Sequence, residues 1–403
     1  MESTKNLLLI LFFLFCVVAV GYAREYFTSP ASNIIEASTI GAGNPSFDEV
    51  LKRFRELAEK KGAPYAFDVL RVATLPPGAD VHLISHEIGH VLYKQQGVDG
   101  MAVCTQEFGN GCSHSLVIDA LQELGDSSST LKLIDDACRS ASGGLGAYTM
   151  CYHGFGHGVF AYYGYTFPKT VELCARVGTS AYGNIQAKEC MGGAVMELLS
   201  GGGHDRAAWT EANNTYFKAD DPLTPCNTDV IPAFAKPFCY LYLSPHYMSY
   251  QGANMERYTD EQLTNGMLTC AALPYGANRS ACIGGFGKDF AGIIGGHDLR
   301  KKDAGDYTDD QLREVDRLCM HAPTDADVMA CTSYALSQFF WGGAANPSIS
   351  LRYCGFVSNT AAHEYCFGNL ADSIARFVTN ARDKQNRCSD LPQEFQNRCM
   401  SVR

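Results

Sequence analysis

YTDEQLTNGMLTCAALPYGANRSACIGGFGKDFAGIIGG, residues 258–296, contains one complete unit of the pattern that decides the fold. YTDEQL has a threonine followed by acidic residues, which is typical of the first turn of a helix, and that helix leads to Cys270. After a short loop, Cys282 opens a second run with apolar residues at helical spacing, and this run stops at a glycine pair. The stretch therefore predicts two helices, A and B, joined by a loop between two cysteines.

The same unit recurs along the chain. YTDDQL at residues 307–312 begins another A helix, and further B helices are predicted in CSHSLVIDALQELG, CYHGFGHGVFAYYG, CMGGAVMELLSG and CTSYALSQFFWGG. The second cysteines of successive units are 33 to 49 residues apart, which is within or near the range of helical repeats. Glycines are expected to end five of the B helices as C′ residues: Gly125, Gly164, Gly201, Gly295 and Gly342.

These units predict an all-α fold of helical-hairpin repeats. Hairpins stacked side by side form an open α/α solenoid, or they close into an α/α toroid when the curvature allows. Glycines within the B helices lower helix propensity and are tolerated where helices crowd together or surround a cavity. They favour a closed ring with the B helices inside; examples are Gly192, Gly193, Gly284, Gly285 and Gly287.

The cysteines are expected to form disulfides that hold each hairpin. One of the 17 cysteines, Cys16, lies in an N-terminal apolar run, which leaves sixteen in eight close pairs. Cysteines at opposite ends of a B helix would be roughly 30 Å apart, beyond the ~7 Å Cα limit of a bridge, so the partners lie across the A–B loops. Spacings of 8 to 16 residues also exceed those of zinc knuckles. The predicted pairs are Cys104 with Cys112, Cys138 with Cys151, Cys174 with Cys190, Cys226 with Cys239, Cys270 with Cys282, Cys319 with Cys331, Cys354 with Cys366, and Cys388 with Cys399.

The N-terminus predicts export. Lys5 precedes an apolar run over residues 7–22, and small residues stand where signal peptidases accept them before Arg24. Residues 1–23 are therefore read as a signal peptide or signal anchor, with cleavage favoured. Residues 24–78 form a lead-in segment with a helix, and 79–403 form the disulfide-stapled repeat domain. An even set of sixteen cysteines fits the same extracytoplasmic location, whether secreted, periplasmic or at the cell surface.

Charge and sequons limit the partners. The net charge of −11 argues against nucleic acid and against an anionic membrane surface, since both require basic patches. Membrane contact is expected only through an uncleaved N-terminal segment. Two triplets, at Asn213 and Asn278, match the N-glycosylation sequon and predict a glycoprotein if the host glycosylates.

Histidines recur at equivalent places on three successive B helices. ISHEIGHV, residues 84–91, superposes without gaps on CYHGFGHG, residues 151–158, and CSH at residues 112–114 lies between them. Histidines at i and i+4 lie on one helix face, and helices about 8–10 Å apart let such faces converge on one metal ion. The predicted ligands are His86, His90, His114, His153 and His157; His82 is either a further ligand or exposed. Hydrogen-bonded core packing and a pH-sensing cluster are the alternatives.

HEIGH, residues 86–90, resembles the HExxH motif of zincin metallopeptidases. The resemblance implies that His86 and His90 bind zinc and that Glu87 is the general base. The following VLYKQQG lacks the metzincin extension, no third zincin ligand is evident, and a helical-repeat chain lacks the zincin sheet. The unit at His153 also has Gly154 where the first has Glu87. We therefore expect zinc chemistry on another scaffold rather than a zincin fold.

Two functions are compatible with these residues. The first is an exported metal-dependent hydrolase, with zinc as the favoured ion and copper or iron as alternatives. The second is a secreted or surface-anchored helical-repeat glycoprotein that binds a protein or glycan and has a structural metal site or none. The substrate or ligand is not identified by the sequence.

Overall fold

The computed structural model describes most of the chain after residue 29. The described residues are 30–76, 79–105, 107–141, 144–177, 184–200, 205–294, 307–342, 347–378 and 380–401. The predicted signal segment, residues 1–23 with the apolar run 7–22, lies outside them, as do Gly201 and Gly295. Over the described residues the chain is all-helical, with two isolated bridges and no strand, which confirms the predicted all-α class.

Twenty α-helices and two short 3₁₀ segments, Gly97–Val103 and Glu107–Asn110, make up the described part. The helices are α1 Pro30–Gly41, α2 Phe47–Lys61, α3 Ala63–Val72, α4 Val81–Gln96, α5 Gly111–Leu124, α6 Ser128–Ser140, α7 Gly144–Tyr162, α8 Phe167–Val177, α9 Ile185–Ser200, α10 Arg206–Tyr216, α11 Lys236–Tyr242, α12 Ser244–Tyr250, α13 Asp260–Ala271, α14 Ala277–Ile294, α15 Asp309–Cys319, α16 Asp325–Gly342, α17 Ser348–Phe356, α18 Thr360–Phe377, α19 Ala381–Ser389 and α20 Gln393–Met400. None of these helices is both long and apolar enough to cross a membrane.

Local sequence explains where several helices begin and end. Thr259 and Thr308 accept hydrogen bonds from the backbone of residues three positions on, and glutamine side chains complete capping boxes at α13 and α15. These are the starts that YTDEQL and YTDDQL predict. Gly125 (φ 72°) and Gly164 (φ 62°) follow α5 and α7 in left-handed backbone, as expected for glycine after a helix.

Eight intrachain disulfides join the A–B loops, and each links the two cysteines of one predicted pair. Their Cα–Cα distances are 5.5 to 5.7 Å, and the loops that they close span 8 to 16 residues. A disulfide that closes a loop of this length stabilises a domain by about 2–4 kcal/mol. The large number of disulfides fits an oxidising, extracellular environment. All sixteen of these cysteines are buried, so the bridges are part of the core.

The eight predicted disulfide pairs are therefore confirmed. The bridges join Cys104 to Cys112, Cys138 to Cys151, Cys174 to Cys190, Cys226 to Cys239, Cys270 to Cys282, Cys319 to Cys331, Cys354 to Cys366, and Cys388 to Cys399.

The helices that follow each disulfide-closed loop pack against one another in chain order. The extensive contacts run from α4 to α5, α7, α9, α11, α14, α16, α18 and α20, while α2 and α3 pack on α4. The helices that precede the loops contact their own partners, for example α6 with α7 and α15 with α16. The apolar core lies along this series. The predicted boundaries at residues 23 and 78 stay predictions.

Glycines let the backbones of adjacent helices touch. A Cβ added at Gly156 in α7 would lie 1.9 Å from the carbonyl oxygen of Cys190 in α9. A Cβ at Gly193 would lie 1.9 Å from the carbonyl oxygen of His153, on the same helix pair. Gly287 in α14 stands in the same relation to Cys331 in α16, at 2.0 Å. Any side chain at these positions would push the helices apart.

Candidate metal centre

Helix α4 supplies the first two histidines of the cluster. Asp80 caps the helix by accepting from the backbone of His82 and Leu83, and the four-residue spacing then sets His82 and His86 on one face. Their Nε2 atoms are 3.0 Å apart. Two nitrogens that share a tetrahedral zinc, with bonds of about 2.0–2.1 Å, lie about 3.3 Å apart. The distance between the two Nε2 atoms is thus close to that between two nitrogens bound to one zinc ion.

The loop before α5 orients the ring of His82. Phe108 has left-handed backbone (φ 57°), and its carbonyl oxygen lies 2.8 Å from His82 Nδ1. Nδ1 is therefore the donor in this hydrogen bond, which leaves the lone pair on Nε2. A backbone carbonyl that fixes the tautomer in this way is a usual partner of metal-binding histidine.

Helix α5 supplies His114, which completes a group of three. One nitrogen from each of His82, His86 and His114 lies within 4.8 Å of the others, close enough to hold one metal ion. His114 is 2% exposed, and neither of its ring nitrogens has a hydrogen-bond partner. A buried polar group without a partner costs roughly 1–3 kcal/mol, so this ring is better satisfied by a ligand than by the protein alone.

Helix α7 brings two more imidazoles against the same ring. The centroids of His153 and His157 lie 5.8 and 5.5 Å from that of His114, and 5.2 Å from each other. Both are buried, and carboxyl groups of α9 face them: His157 Nδ1 is 3.0 Å from Glu197, and His153 Nδ1 is 3.4 Å from Glu189. Five histidines thus form a continuous cluster across three helices.

Burial keeps these imidazoles neutral. It lowers the pKa of His153 to about 3, with a further contribution from nearby positive charge, and it holds the pKa of His114 well below its usual range. The pKa of His157 is also lowered by burial, although its hydrogen bond to Glu197 opposes the shift. Burial raises the pKa of Glu189 to about 8. Neutral imidazole is the form that binds metal, so the site is prepared for an ion at neutral pH.

The predicted ligands separate into two environments. His86, His114, His153 and His157 lie in the cluster, and His82 belongs to the three-residue group. His90, the remaining predicted ligand, is not part of that group: its Nδ1 lies 2.8 Å from Asp119 Oδ2 on α5.

Glu87, the predicted general base, pairs with a cation on another helix. Its Oε2 lies 2.6 Å from the Nε of Arg55 on α2, and this hydrogen bond raises the pKa of Arg55. Glu87 is one position beyond His86, about 100° around the helix, which is why it meets α2 while His86 meets α5. A catalytic role for Glu87 would require its release from Arg55.

The carboxylates that hydrogen-bond His90 and His157 were not predicted to be their partners, although a regular spacing marks them. Asp119 stands seven residues after Cys112, and Glu197 stands seven residues after Cys190. Their partners lie on the preceding B helix. His157 stands six residues after Cys151, and His90 stands six residues after Ile84, which superposes on Cys151. In both pairs an acid on one helix therefore meets a histidine on the helix before it.

A cavity of about 970 Å³ lies beyond the cluster. Tyr242 connects the two, because its ring is 5.7 Å from that of His153 and also lines the cavity. Lys288 lies 5.3 Å from the Tyr242 ring and forms an ion pair with Asp289. His246, whose buried Nε2 has no hydrogen-bond partner, also lines the cavity. The cavity thus offers both charges and aromatic surface near the histidines.

The predicted glycosylation sites differ in their surroundings. Asn213 lies in α10, where its Nδ2 donates to the carbonyl oxygens of Leu198 and Trp209. A glycan on Nδ2 would leave one hydrogen for two acceptors. Asn278 lies in the first turn of α14 and is partly exposed. Modification of either residue stays a prediction.

The donor set itself indicates what the site binds. No protein-family model matches this chain, and comparisons with curated proteins and with solved structures find no similar protein. Neutral imidazoles suit zinc, copper and iron, whereas magnesium and calcium prefer oxygen. Three buried or half-buried imidazoles, one of them His114 with its unpartnered nitrogens, thus form a group that could hold one metal ion.

Proposed function

We propose that this chain is an exported metalloprotein in which His82, His86 and His114 hold one zinc ion. The observation that carries the proposal is the group of three nitrogens within 4.8 Å of one another. Zinc is favoured because tetrahedral sites with imidazole ligands suit it, with copper and iron as alternatives. Export is supported by the eight disulfides.

We further propose that the zinc is hydrolytic. Three protein ligands leave the fourth tetrahedral position for water, the arrangement of catalytic rather than structural zinc. Zinc lowers the pKa of such a water toward neutrality and so supplies hydroxide for attack on an ester, amide or phosphoester. The cavity lined by Tyr242, whose ring is 5.7 Å from that of His153, offers room for a substrate, which would have to extend past Tyr242 to reach the zinc because none of the five histidines lines the cavity. Glu87 is the candidate proton acceptor once Arg55 releases it.

The second candidate is an interaction protein with a structural metal. The observation in its favour is that Glu87 is engaged by Arg55 while His114 is 2% exposed, so neither faces solvent freely. In that case the ion would stabilise the contact between α4 and α5, and a concave surface of the helices would bind a protein or glycan.

We propose that the helices form an open solenoid of hairpin repeats. The same contact between helices recurs in two units, which supports a repeat. Gly156 packs against the carbonyl of Cys190, and Gly287 packs against the carbonyl of Cys331. Each glycine stands five residues after the second cysteine of its own unit. Among the described helices, the extensive contacts join neighbours along the series and none joins its first helices to its last, which favours the open form over the closed ring.

Metal content tests the proposed site. The purified, oxidised chain is expected to retain zinc through dialysis, whereas His82→Asn is expected to bind it at least about tenfold more weakly, since loss of even an indirect ligand contact weakens metal binding 10–100-fold. The measurement is zinc by plasma mass spectrometry with a competition titration against a chelating dye. His363→Asn, on α18 and outside the cluster, is the matched control and should match the unsubstituted chain. Absence of zinc, copper and iron from the unsubstituted chain would contradict the proposal.

Paired substitutions test the role of Glu87. If Glu87 is the general base, Glu87→Gln should lower hydrolysis of p-nitrophenyl esters, phosphoesters or a peptide library about 10²–10⁴-fold with zinc retained. Arg55→Gln, which breaks the same ion pair from the other side and so frees Glu87, should keep or raise the activity of the unsubstituted chain. Equal, small effects of both substitutions would assign Glu87 to the ion pair alone, and zinc binding without hydrolysis would favour the structural site.

A further inference from the structure

We infer that His114, His153 and His157 form a second metal position, with Glu189 as its fourth donor. This inference rests on the proposed zinc at His82, His86 and His114. His114 would be shared as an imidazolate: on binding the second ion its ring would release the N–H proton to solvent, and each nitrogen would then contribute a lone pair to one ion. The second ligand set is three imidazoles and one carboxylate, which suits a divalent transition metal such as zinc.

The first support is the ring of His114. Both of its nitrogens are buried and lack hydrogen-bond partners. The two nitrogens lie on different edges of an imidazole, so an ion bound at one leaves the other pointing elsewhere. A single ion at the first group would therefore leave one buried nitrogen unsatisfied, and a second ion would satisfy it.

The second support is the spacing of the rings. The centroids of His114, His153 and His157 are 5.2 to 5.8 Å apart, and those of His82, His86 and His114 are 4.5 to 5.6 Å apart. With metal–nitrogen bonds of about 2.0–2.1 Å, the ring centroids of two ligands on a tetrahedral ion lie about 5 Å apart. The rings of the second group are thus about as close as those of the first, but only the first group has three nitrogens within 4.8 Å of one another, so the second would have to close by side-chain rotation when it binds an ion.

The third support is the way in which α9 orients the ring of His157. Glu197 accepts a hydrogen bond from His157 Nδ1 at 3.0 Å, which leaves the lone pair on Nε2, and that atom is buried without a hydrogen-bond partner. A carboxylate behind the far nitrogen is the usual support of a metal-binding histidine. The tautomer of His157 therefore leaves the lone pair of Nε2 available to a metal ion.

Glu189 supplies the missing charge. Its Oε2 is 3.4 Å from His153 Nδ1, but the two make no hydrogen bond. In the part of the chain that the structure describes, no lysine or arginine forms an ion pair with it. A buried carboxyl group keeps its proton unless a cation joins it, so an ion bound here would displace the proton of Glu189 and pair with the carboxylate that remains. Gly192, on the same turn of α9, leaves this position open, since a Cβ there would lie 3.5 Å from His153 Nδ1.

Zinc stoichiometry tests this inference on the full, oxidised chain. Titration with Zn²⁺ followed by calorimetry and mass spectrometry is expected to give two ions for the unsubstituted chain. His82→Asn should lose one ion, and His157→Asn should lose the other. Glu197→Gln keeps the shape of the side chain and should weaken one of the two ions about 10–100-fold. Asp119→Asn, which alters the similar pair with His90, is the matched control and should leave both ions.

The outcomes are separable. One ion that is lost in His82→Asn and kept in both His157→Asn and Glu197→Gln would overturn the second position and leave the proposed function standing. No ion in the unsubstituted chain would overturn both. If His157→Asn does not fold, as judged by circular dichroism, Glu197→Gln decides the result by itself.

Discussion

Gly156→Ala is expected to destabilise the chain by about 3 kcal/mol or more. The new Cβ would lie 1.9 Å from the carbonyl oxygen of Cys190 and 3.0 Å from the backbone nitrogen of Ala194. These atoms belong to helix backbone, which cannot rotate away as a side chain can. Overpacking of a core usually costs about 1–3 kcal/mol, and here α7 and α9 must separate over several residues. Urea unfolding followed by circular dichroism, with the disulfides intact, measures the change.

A second glycine in a helix controls for helix propensity. A Cβ at Gly292 in α14 would meet no atom within 4 Å. Gly292→Ala should therefore raise the free energy of unfolding by up to about 1 kcal/mol, as alanine does in a helix interior. Equal effects of the two substitutions would mean that α7 and α9 are not in backbone contact.

The same contact positions the histidine cluster. Gly156 lies between His153 and His157, and Gly193 on the facing helix touches the backbone of His153. Only because glycines bring the two helices together can Glu197 reach His157 at 3.0 Å. The glycines that weaken helix propensity are thus the residues that assemble the site, which explains why this chain keeps them within its core helices.

The disulfides could be predicted from helix length alone. A B helix separates its terminal cysteines far beyond bonding distance, so the loop pairs were the geometrically allowed partners. The same logic located helix starts at Thr259 and Thr308 and helix ends at Gly125 and Gly164. These features depend on residues close in sequence, which is why sequence reasoning found them.

The site was only partly predictable, because it depends on contacts between helices. The recurrence of histidine identified His86, His114, His153 and His157, but it also included His90, which lies one turn further along α4 and meets Asp119. His82 has no equivalent in the other units. Its place in the three-residue group depends on the carbonyl of Phe108, in a left-handed loop that the residue pattern did not reveal.

Glu87 shows why a five-residue motif is not sufficient. The HExxH spacing sets two histidines on one face, but it does not determine what the intervening glutamate meets. In this chain α2 presents Arg55 to Glu87 at 2.6 Å. A motif specifies catalysis only with the surrounding scaffold, and the lead-in helices that provide this contact had no role in the sequence argument.

The metal-free chain is expected to lose stability as the pH falls from about 6.5 to 4.5. His114, His153 and His157 have lowered pKa values in the folded chain and return to ordinary values near 6.5 on unfolding. The unfolded chain therefore binds more protons below pH 6.5, and each group contributes up to about 1.4 kcal/mol per pH unit to the loss. Three such groups contribute about 4 kcal/mol per pH unit at most.

Glu189 opposes part of this change. Burial raises its pKa to about 8 from an ordinary 4.5, so between these values the folded chain binds the extra proton and gains stability as the pH falls. Its contribution removes about 1.4 kcal/mol per pH unit, so these four groups together give a net slope of about 3 kcal/mol per pH unit at most. His82 and His246, whose pKa values burial also lowers, add to the loss of stability in the same direction. Lys288 and Glu197 also face the histidines. The charge of Lys288 is already part of the lowering of the His153 pKa, and Glu197 is already part of the change in the His157 pKa.

Urea unfolding in EDTA at pH 7.5, 6.5, 5.5 and 4.5 measures this slope. His153→Gln removes one of the three titrating rings and should reduce the slope by about 1.4 kcal/mol per pH unit. Added zinc should raise stability at pH 7.5 by about 4 kcal/mol at a thousandfold excess over its dissociation constant. This gain should shrink in acid, because protons compete for the same nitrogens. A metal-free chain with pH-independent stability over this range would show that the imidazoles are hydrated rather than buried, and it would remove the physical basis for a preformed metal site.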